Sequence, residues 1–426
     1  MLVGGVRERS VAGNAGWYHP IMARRPLPAL LLLAAALLSA FTLVSAAGAP
    51  SRVVAIGDVH GAYPELLTIL QQTKLVDAKR RWTGGTATLV QVGDLVDRGP
   101  RVRETLDLVM DLEKQAQQAR GTVALLLGNH EAMNVMGDLR YVTPEIYRTF
   151  VTSRSEETLS EAFRDYATFL SAHTGHVHSL LVPVDEAGVK KWMEEYPLGY
   201  VEYREAFGPG GKYGRWIRRL RTVVQVGDGL FVHGGLNPAL PFQSVAELNA
   251  TVTAELNEFD RAWQSLSGRK VIWRYMKLFQ ALAHLEEELK ELQAQPKPAD
   301  AALVAQIRKV LAYREWMAAS PDGPLWYRGL TAETEPELAA GLDALLARFG
   351  ARYMVVGHTP MPKGTVTPWR AGRVLAIDTG MLYEAFKGRA SALEIEGGRF
   401  TAVYADGTSQ PLDAPLKPQA KPPDAR

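Results

Sequence analysis

Five short segments set acids, imidazoles and an amide beside glycine. They are Gly57-Asp58-Val59-His60-Gly61, Gly93-Asp94-Leu95-Val96-Asp97-Arg98-Gly99, Gly128-Asn129-His130-Glu131, His233-Gly234-Gly235 and Gly357-His358-Thr359-Pro360. Carboxylate, imidazole and amide oxygen without sulfur suit divalent ions such as Mn, Fe, Zn or Mg, and the residue types do not choose among these. Two such ions about 3.5–4 Å apart clamp a phosphoryl group and generate hydroxide from water near neutral pH. A carboxylate must bridge them, and Asp94 is the natural candidate. The chain has no cysteine, which excludes disulfides, thiolate sites and a cysteine nucleophile. Hydrolysis must then use a metal, a carboxylate or histidine. One strand-end Asp alone is more often a turn former than a ligand, so the ordered set carries the inference.

Such groups converge only if the backbone delivers them to one edge. From residue 52 the pattern alternates strand and helix, as in an α/β domain. Strands are expected at Arg52–Ile56, Thr88–Val92 and Val123–Leu127, with helices at Pro64–Gln72 and Val102–Ala119. Each of these strands runs into Gly-Asp or Gly-Asn, and the carboxyl ends of strands form the ligand crevice of an open α/β sheet. Residues 138–221 break the rhythm and read as an inserted cap. Thr222–Val226 and Leu230–Val232 read as a hairpin around Gly227-Asp228-Gly229. A second insertion, 247–319, carries leucines at three- and four-residue steps and a Pro296-Lys297-Pro298 break, the pattern of a helical hairpin. Arg352–Val356, Val374–Ile377 and an Ala392–Ile395/Arg399–Tyr404 hairpin complete a domain at 51–408. The Pro/Lys/Ala-rich stretch 411–426 reads as a disordered tail.

The five segments, in this order, resemble the phosphoprotein phosphatase family of calcineurin-like metallophosphoesterases. The run from Gly128 through Asn134, Gly137-Asp138-Leu139-Arg140-Tyr141-Val142, together with Gly323-Pro324-Leu325-Trp326-Tyr327-Arg328, is similar to the Shewanella-like protein phosphatases. The resemblance implies a sandwich of two mixed β-sheets flanked by helices, here with helical insertions. It implies that Asp58, His60 and Asp94 hold one metal and Asp94, Asn129, His233 and His358 a second, with Mn the first choice. His130 would be the general acid, oriented by Asp97, and Arg98 and Arg328 would bind phosphate oxygens. Chemistry supports these roles: protonation helps an alkoxide leave, a carboxylate behind a histidine favours its charged form, and guanidinium matches phosphate bidentately. The nucleophile would be the hydroxide between the metals. No match is found to the C-terminal Ser-Ala-Pro-Asn-Tyr-like loop of the eukaryotic enzymes.

Glu131 and Asp138 are read as braces of the site, and Asp378 either as a group that orients a ligand or loop from behind or as a structural turn residue. Arg140 is read as an internal ion-pair partner. His173, His176 and His178 are read as a cap loop rather than a third metal site, because no carboxylate accompanies them. His284 is read as packed or surface.

The chain has 426 residues, 47% hydrophobic and 22% charged, with net charge +2. Residues 1–46 contribute +3 of that, leaving a body near −1 and no electrostatic case for nucleic-acid binding. Arg24-Arg25, an apolar run from Leu27 to Val44 and the small residues to Ala49 form a secretory leader, with cleavage expected after Ala46 and a true start at Met22 as an option. The uncleaved alternative is an N-terminal membrane anchor, and either places the body outside the cytoplasm, in a periplasm. The expected substrates are phosphorylated proteins or peptides, on Ser/Thr or Tyr. Nucleotides, dinucleoside polyphosphates and other small phosphoesters are the alternative. A non-catalytic phospho-binding scaffold is the reading from another class.

Overall fold

A computed structural model describes residues 52–173, 181–295, 300–332 and 336–413. The leader, His176 and His178, the Pro296–Pro298 turn and the chain from 414 lie outside the described residues. The elements of the first half of the domain are β1 (Arg52–Ile56), α1 (Tyr63–Gln72), β2 (Thr88–Gln91), α2 (Val102–Gln118), β3 (Thr122–Leu125) and α3 (Asn129–Met136). Among the described residues the cap then holds the helices α4 (Pro144–Arg148), α5 (Ser155–Ser171), α6 (Glu186–Glu195), α7 (Tyr200–Phe207) and α8 (Lys212–Ile217). Then come β4 (Val223–Val226), β5 (Gly229–Val232), α9 (Val245–Gly268), α10 (Leu278–Ala294) and α11 (Ala301–Leu311). The chain continues through α12 (Pro336–Arg348), β6 (Tyr353–Val356), β7 (Thr367–Trp369), β8 (Val374–Ala376), α13 (Tyr383–Phe386), β9 (Ser391–Glu396), β10 (Arg399–Tyr404) and β11 (Ser409–Leu412).

The strands form two sheets. One has the order β11-β10-β9-β1-β2-β3, the other β4-β5-β6-β8-β7. In the first, β1, β2 and β3 are parallel while β9 to β11 run antiparallel. In the second, β5, β6 and β8 are parallel between antiparallel edges. Both sheets are therefore mixed, and helices flank them. The period of two along a strand explains the layering. On β1, Val53 and Ala55 join Val90, Phe231, Val355 and Leu375 in the layer between the sheets, whereas Val54 and Ile56 join the larger core with the helices.

Both insertions are helical. The Leu278, Leu282 and Leu285 side chains of α10 are buried, and Leu289 and Leu292 pack on the same core. Helix α11 packs against both α9 and α10, which makes the expected hairpin. Pro411 and Leu412, read as the start of the tail, instead pair with Thr401 and Phe400 in β11. An edge strand tolerates proline because one side of its backbone needs no partner. β7, α12 and α13 have no counterpart in the sequence reading.

Candidate active site

The parallel strands deliver the motifs to one edge: Asp58 follows β1, Asp94 follows β2, Asn129 follows β3, His233 follows β5, His358 follows β6 and Asp378 follows β8. All six are buried. Asp94 lies at the centre. Its Oδ2 is 3.6 Å from His60 Nε2 and its Oδ1 is 3.4 Å from His233 Nε2. His60, Asp94 and His130 bring ligand atoms within 4.8 Å of one another, and so do Asp94, His233 and His358. Asp58 accepts the His358 backbone N–H at 2.9 Å and lies 4.0 Å from His60 Nε2.

Hydrogen bonds hold these loops in costly conformations. His60, Asp94, Asp97, Arg98 and His358 all have positive φ, between 48° and 70°, a region non-glycine residues seldom occupy. Such strain persists where the surroundings over-determine it. Glu131, in the first turn of α3, takes the backbone N–H groups of Asp94 and Leu95 at 2.8 Å and of Gly128 at 2.9 Å. The His130 N–H, also at that helix start, donates to Asp94 Oδ1 at 3.0 Å, as an unsatisfied N-terminal N–H should. Gln91 ties the Gly57 and Gly93 loops together through its amide.

The site's atoms fit a cation. His60 and His233 each direct Nδ1 to a backbone carbonyl, Val96 and Val92, at 2.9 Å. A carbonyl only accepts, so Nδ1 carries the proton and, in the neutral ring, Nε2 offers the lone pair. His233 Nε2 nevertheless lies 2.8 Å from Asn129 Oδ1, itself an acceptor. His358 Nε2 is buried with no partner among the described residues. The carboxylates crowd in the same way. Burial, then Asp378 and Asp94, raises Asp58 well above the usual range. Burial first pushes Asp378 up to about 6 and Glu131 up to about 7, with Asp94 adding to both. Burial would also raise Asp94, but the histidines, His233 foremost, hold it well below the usual range.

A family model described as calcineurin-like phosphoesterase matches residues 51–362. The chain belongs to that family. This phosphoesterase is 29% identical over 350 residues to an uncharacterized protein of Schizosaccharomyces pombe, covering 81% of this chain and 77% of that one. It is 30% identical over 239 residues to Shewanella-like protein phosphatase 2 of Arabidopsis thaliana, covering 55% of this chain and 60% of the relative. The crystal structure of a cold-active protein-tyrosine phosphatase of a psychrophilic Shewanella sp. superposes with a TM-score of 0.53 at 26% identity, over 85% of this chain and 80% of that one. Phosphate-ester hydrolysis is the activity that goes with the family.

Beside the phosphoesterase centre stands a second constellation. His130 Nδ1 meets Asp97 Oδ2 at 2.6 Å. Asn134, one turn along α3, donates its amide to Asp97 Oδ1 at 2.9 Å and to the His130 carbonyl at 2.8 Å. The buried Tyr203 hydroxyl of α7 donates to Asn134 Oδ1. Burial would lower the His130 pKa, but Asp94 and Asp97 outweigh it and raise the imidazole above its ordinary value. Burial, with charge from the neighbouring histidines, instead lowers His60 to about 3 and His358 to about 2.

Arg98 lies with its guanidinium 4.3 Å from the Tyr141 ring and 5.3 Å from Phe386. Its Nε is buried without a partner among the described residues. Arg328 Nη1 donates to the His358 carbonyl at 2.8 Å and to Thr359 Oγ1 at 3.0 Å. Arg140 forms the expected ion pair with Asp138, 2.6 Å at its closest. His284 is buried against Phe169, with Nε2 2.6 Å from the Val271 carbonyl.

The structure brings Asp58, His60, Asp94, Asn129, His130, His233 and His358 together at one edge, with Arg98 beside Tyr141 and Arg328 on the His358 carbonyl. Sequence reading missed the parts played by Gln91, Tyr141, Phe386 and Tyr203. A glutamine at the end of an apolar strand was a usable signal for the first. Phe386 and Tyr203 carry no pattern that ties them to the motifs.

Proposed function

We propose that the chain is a dinuclear phosphomonoester hydrolase acting on phosphorylated proteins or peptides. The observation that carries this is the buried Asp94, whose two oxygens face separate histidine groups. Asp58, His60 and Asp94 would hold one divalent ion, and Asp94, Asn129, His233 and His358 the other, with Mn the ion to try first. When bound, the two ions neutralise phosphoryl charge and supply the attacking oxygen near neutral pH.

The chain's own groups do the rest. Arg98 and Arg328 orient the phosphoryl oxygens and strengthen their grip as negative charge grows in the transition state. His130 Nε2 gives its proton to the leaving oxygen, then recovers one from water. His130 is assigned this role, rather than that of a ligand, by its Nδ1 partner. Asp97 is a full carboxylate and favours imidazolium. The partners of His60 and His233 are neutral carbonyls, which leave a bare Nε2 for a metal. Glu131 and Asp378 brace the ligand loops. Protein substrates are favoured by the likeness to chains named protein phosphatase and protein-tyrosine phosphatase.

The test is hydrolysis of Ser, Thr and Tyr phosphopeptides by the Mn-loaded protein, beside dinucleoside polyphosphates. Phosphopeptides should be preferred, and His130→Asn should lower kcat about 10²–10³-fold. A large preference for the dinucleotides overturns the protein-substrate reading.

A further inference from the structure

A cleft of about 580 Å³ adjoins the catalytic centre, within the range of small-ligand pockets. Its floor is apolar: Met133 and Met136 of α3, Leu278 of α10, and Trp326. It touches the centre at three points. The Trp326 ring is 5.8 Å from that of His358, the Met133 sulfur is 3.7 Å from the Asn129 amide nitrogen, and Arg328 lines the cleft and the phosphate side alike. On the other flank Arg140 adjoins Tyr141, whose ring lies 5.0 Å from His130. A leaving group that departs at His130 therefore has this cleft beside it.

The rim is cationic. Arg140, Arg314 and Arg328 line it against the lone carboxylate of Asp138. Asp138 is committed to Arg140 through a bidentate contact. Arg314 is exposed, its Nε donates to the Tyr313 hydroxyl at 3.2 Å, and among the described residues it forms no ion pair, the charge of Glu286 acting on it only from a distance. A guanidinium held by Tyr313 and by no ion pair among the described residues, reached by the more distant charge of Glu286 and set above an apolar floor, matches a carboxylate next to an apolar group. A nucleobase fits less well. The Phe279 ring is already approached by Arg140 at 4.5 Å and Arg314 at 5.7 Å. The lining holds no Asn, Gln, Ser or Thr to read a base edge.

We propose that this cleft selects phosphopeptides carrying an acidic residue beside an apolar one, close to the phosphorylated position, with Arg314 as the specificity-determining residue. This rests on the protein-phosphatase reading above. Surface exposure makes Arg314→Glu and Arg314→Ala safe for folding.

The experiment compares kcat/KM for three substrates: a phosphopeptide with Glu and Leu flanks, its twin with Lys in place of Glu, and 4-nitrophenyl phosphate. Wild type should favour the acidic peptide about tenfold, less so as salt screens the pair. Arg314→Ala should abolish the difference, and Arg314→Glu should reverse it. If wild type hydrolyses 4-nitrophenyl phosphate but treats both peptides alike, the cleft proposal fails and phosphatase chemistry stands. If it hydrolyses none of the three, the phosphatase reading itself fails. Equal loss on all three substrates in both variants also overturns the assignment.

Discussion

Tyr203 donates to an amide whose other end holds Asp97, which in turn holds His130. The tyrosine fixes which way Asn134 points, since a flipped amide would set its oxygen against two acceptors. Tyr203→Phe keeps the ring and removes the donor. Hydrolysis of a simple alkyl phosphate should then fall about fivefold, the worth of roughly one buried hydrogen bond. Turnover of 4-nitrophenyl phosphate, whose leaving group needs little protonation, should fall less, with KM unchanged for both. An equal loss on the two esters would mean that Tyr203 only supports packing. At this scale the sequence was readable wherever chemistry is local. Asp58 and His60 sit two apart, and Asp97 and Arg98 adjoin. Asn134 lies four residues beyond His130 on one helix face, a spacing that marks it. Tyr203 comes from a separate cap helix, and only tertiary structure brings it near.

The glycines that frame the motifs act at the level of the strand ends. A Cβ on Gly128 would stand 2.3 Å from Asp94 Oδ1 and 2.7 Å from Glu131 Oε2; one on Gly357 would stand 2.4 Å from Asp58 Oδ1. The loops thus reach the carboxylates by giving up side chains. Gly128→Ala should lower the bound metal below two ions per chain, as measured by elemental analysis. Gly210→Ala, where a Cβ meets nothing within 4 Å, serves as the control. Full metal content in Gly128→Ala would refute this account of the framing. Most of the strands that carry these ends were legible as largely buried runs rich in apolar residues, whereas β3 is buried only at Leu125. The short edge strands β7 and β11 were not. Thr367–Trp369 is three residues long, and Ser409–Leu412 is largely exposed, so neither leaves a pattern of alternation.

Over the whole molecule, the buried charges make stability depend on bound metal and on pH. Unfolded carboxylates titrate near 4, whereas folded Glu131 and Asp378 are pushed up to about 7 and about 6 and Asp58 is raised as well. Without metal, the folded state therefore binds protons that the unfolded state has lost. His130, also raised, acts in the same sense as pH climbs past 6.5. His60 and His358, lowered to about 3 and about 2, weaken the fold only below about 6.5, where the unfolded histidines charge. Between about pH 6.5 and 8 one sign remains, so the chelated protein should lose stability as pH rises. Denaturant titrations at the two pH values measure this, and greater stability at pH 8 would contradict it. Metal-loaded protein should show a flatter profile.

Strand β1 lies between β2 and β9, so Arg52 pairs with Glu396, while Asp58 takes its backbone donor from His358, 300 positions away. During synthesis the opening strand waits with one bare edge until nearly all of the domain has emerged. Until then it is a template for stray pairing, and its half of the ion-binding centre has no opposite wall. Premature termination anywhere before β9 should consequently yield insoluble chains rather than weakened enzymes.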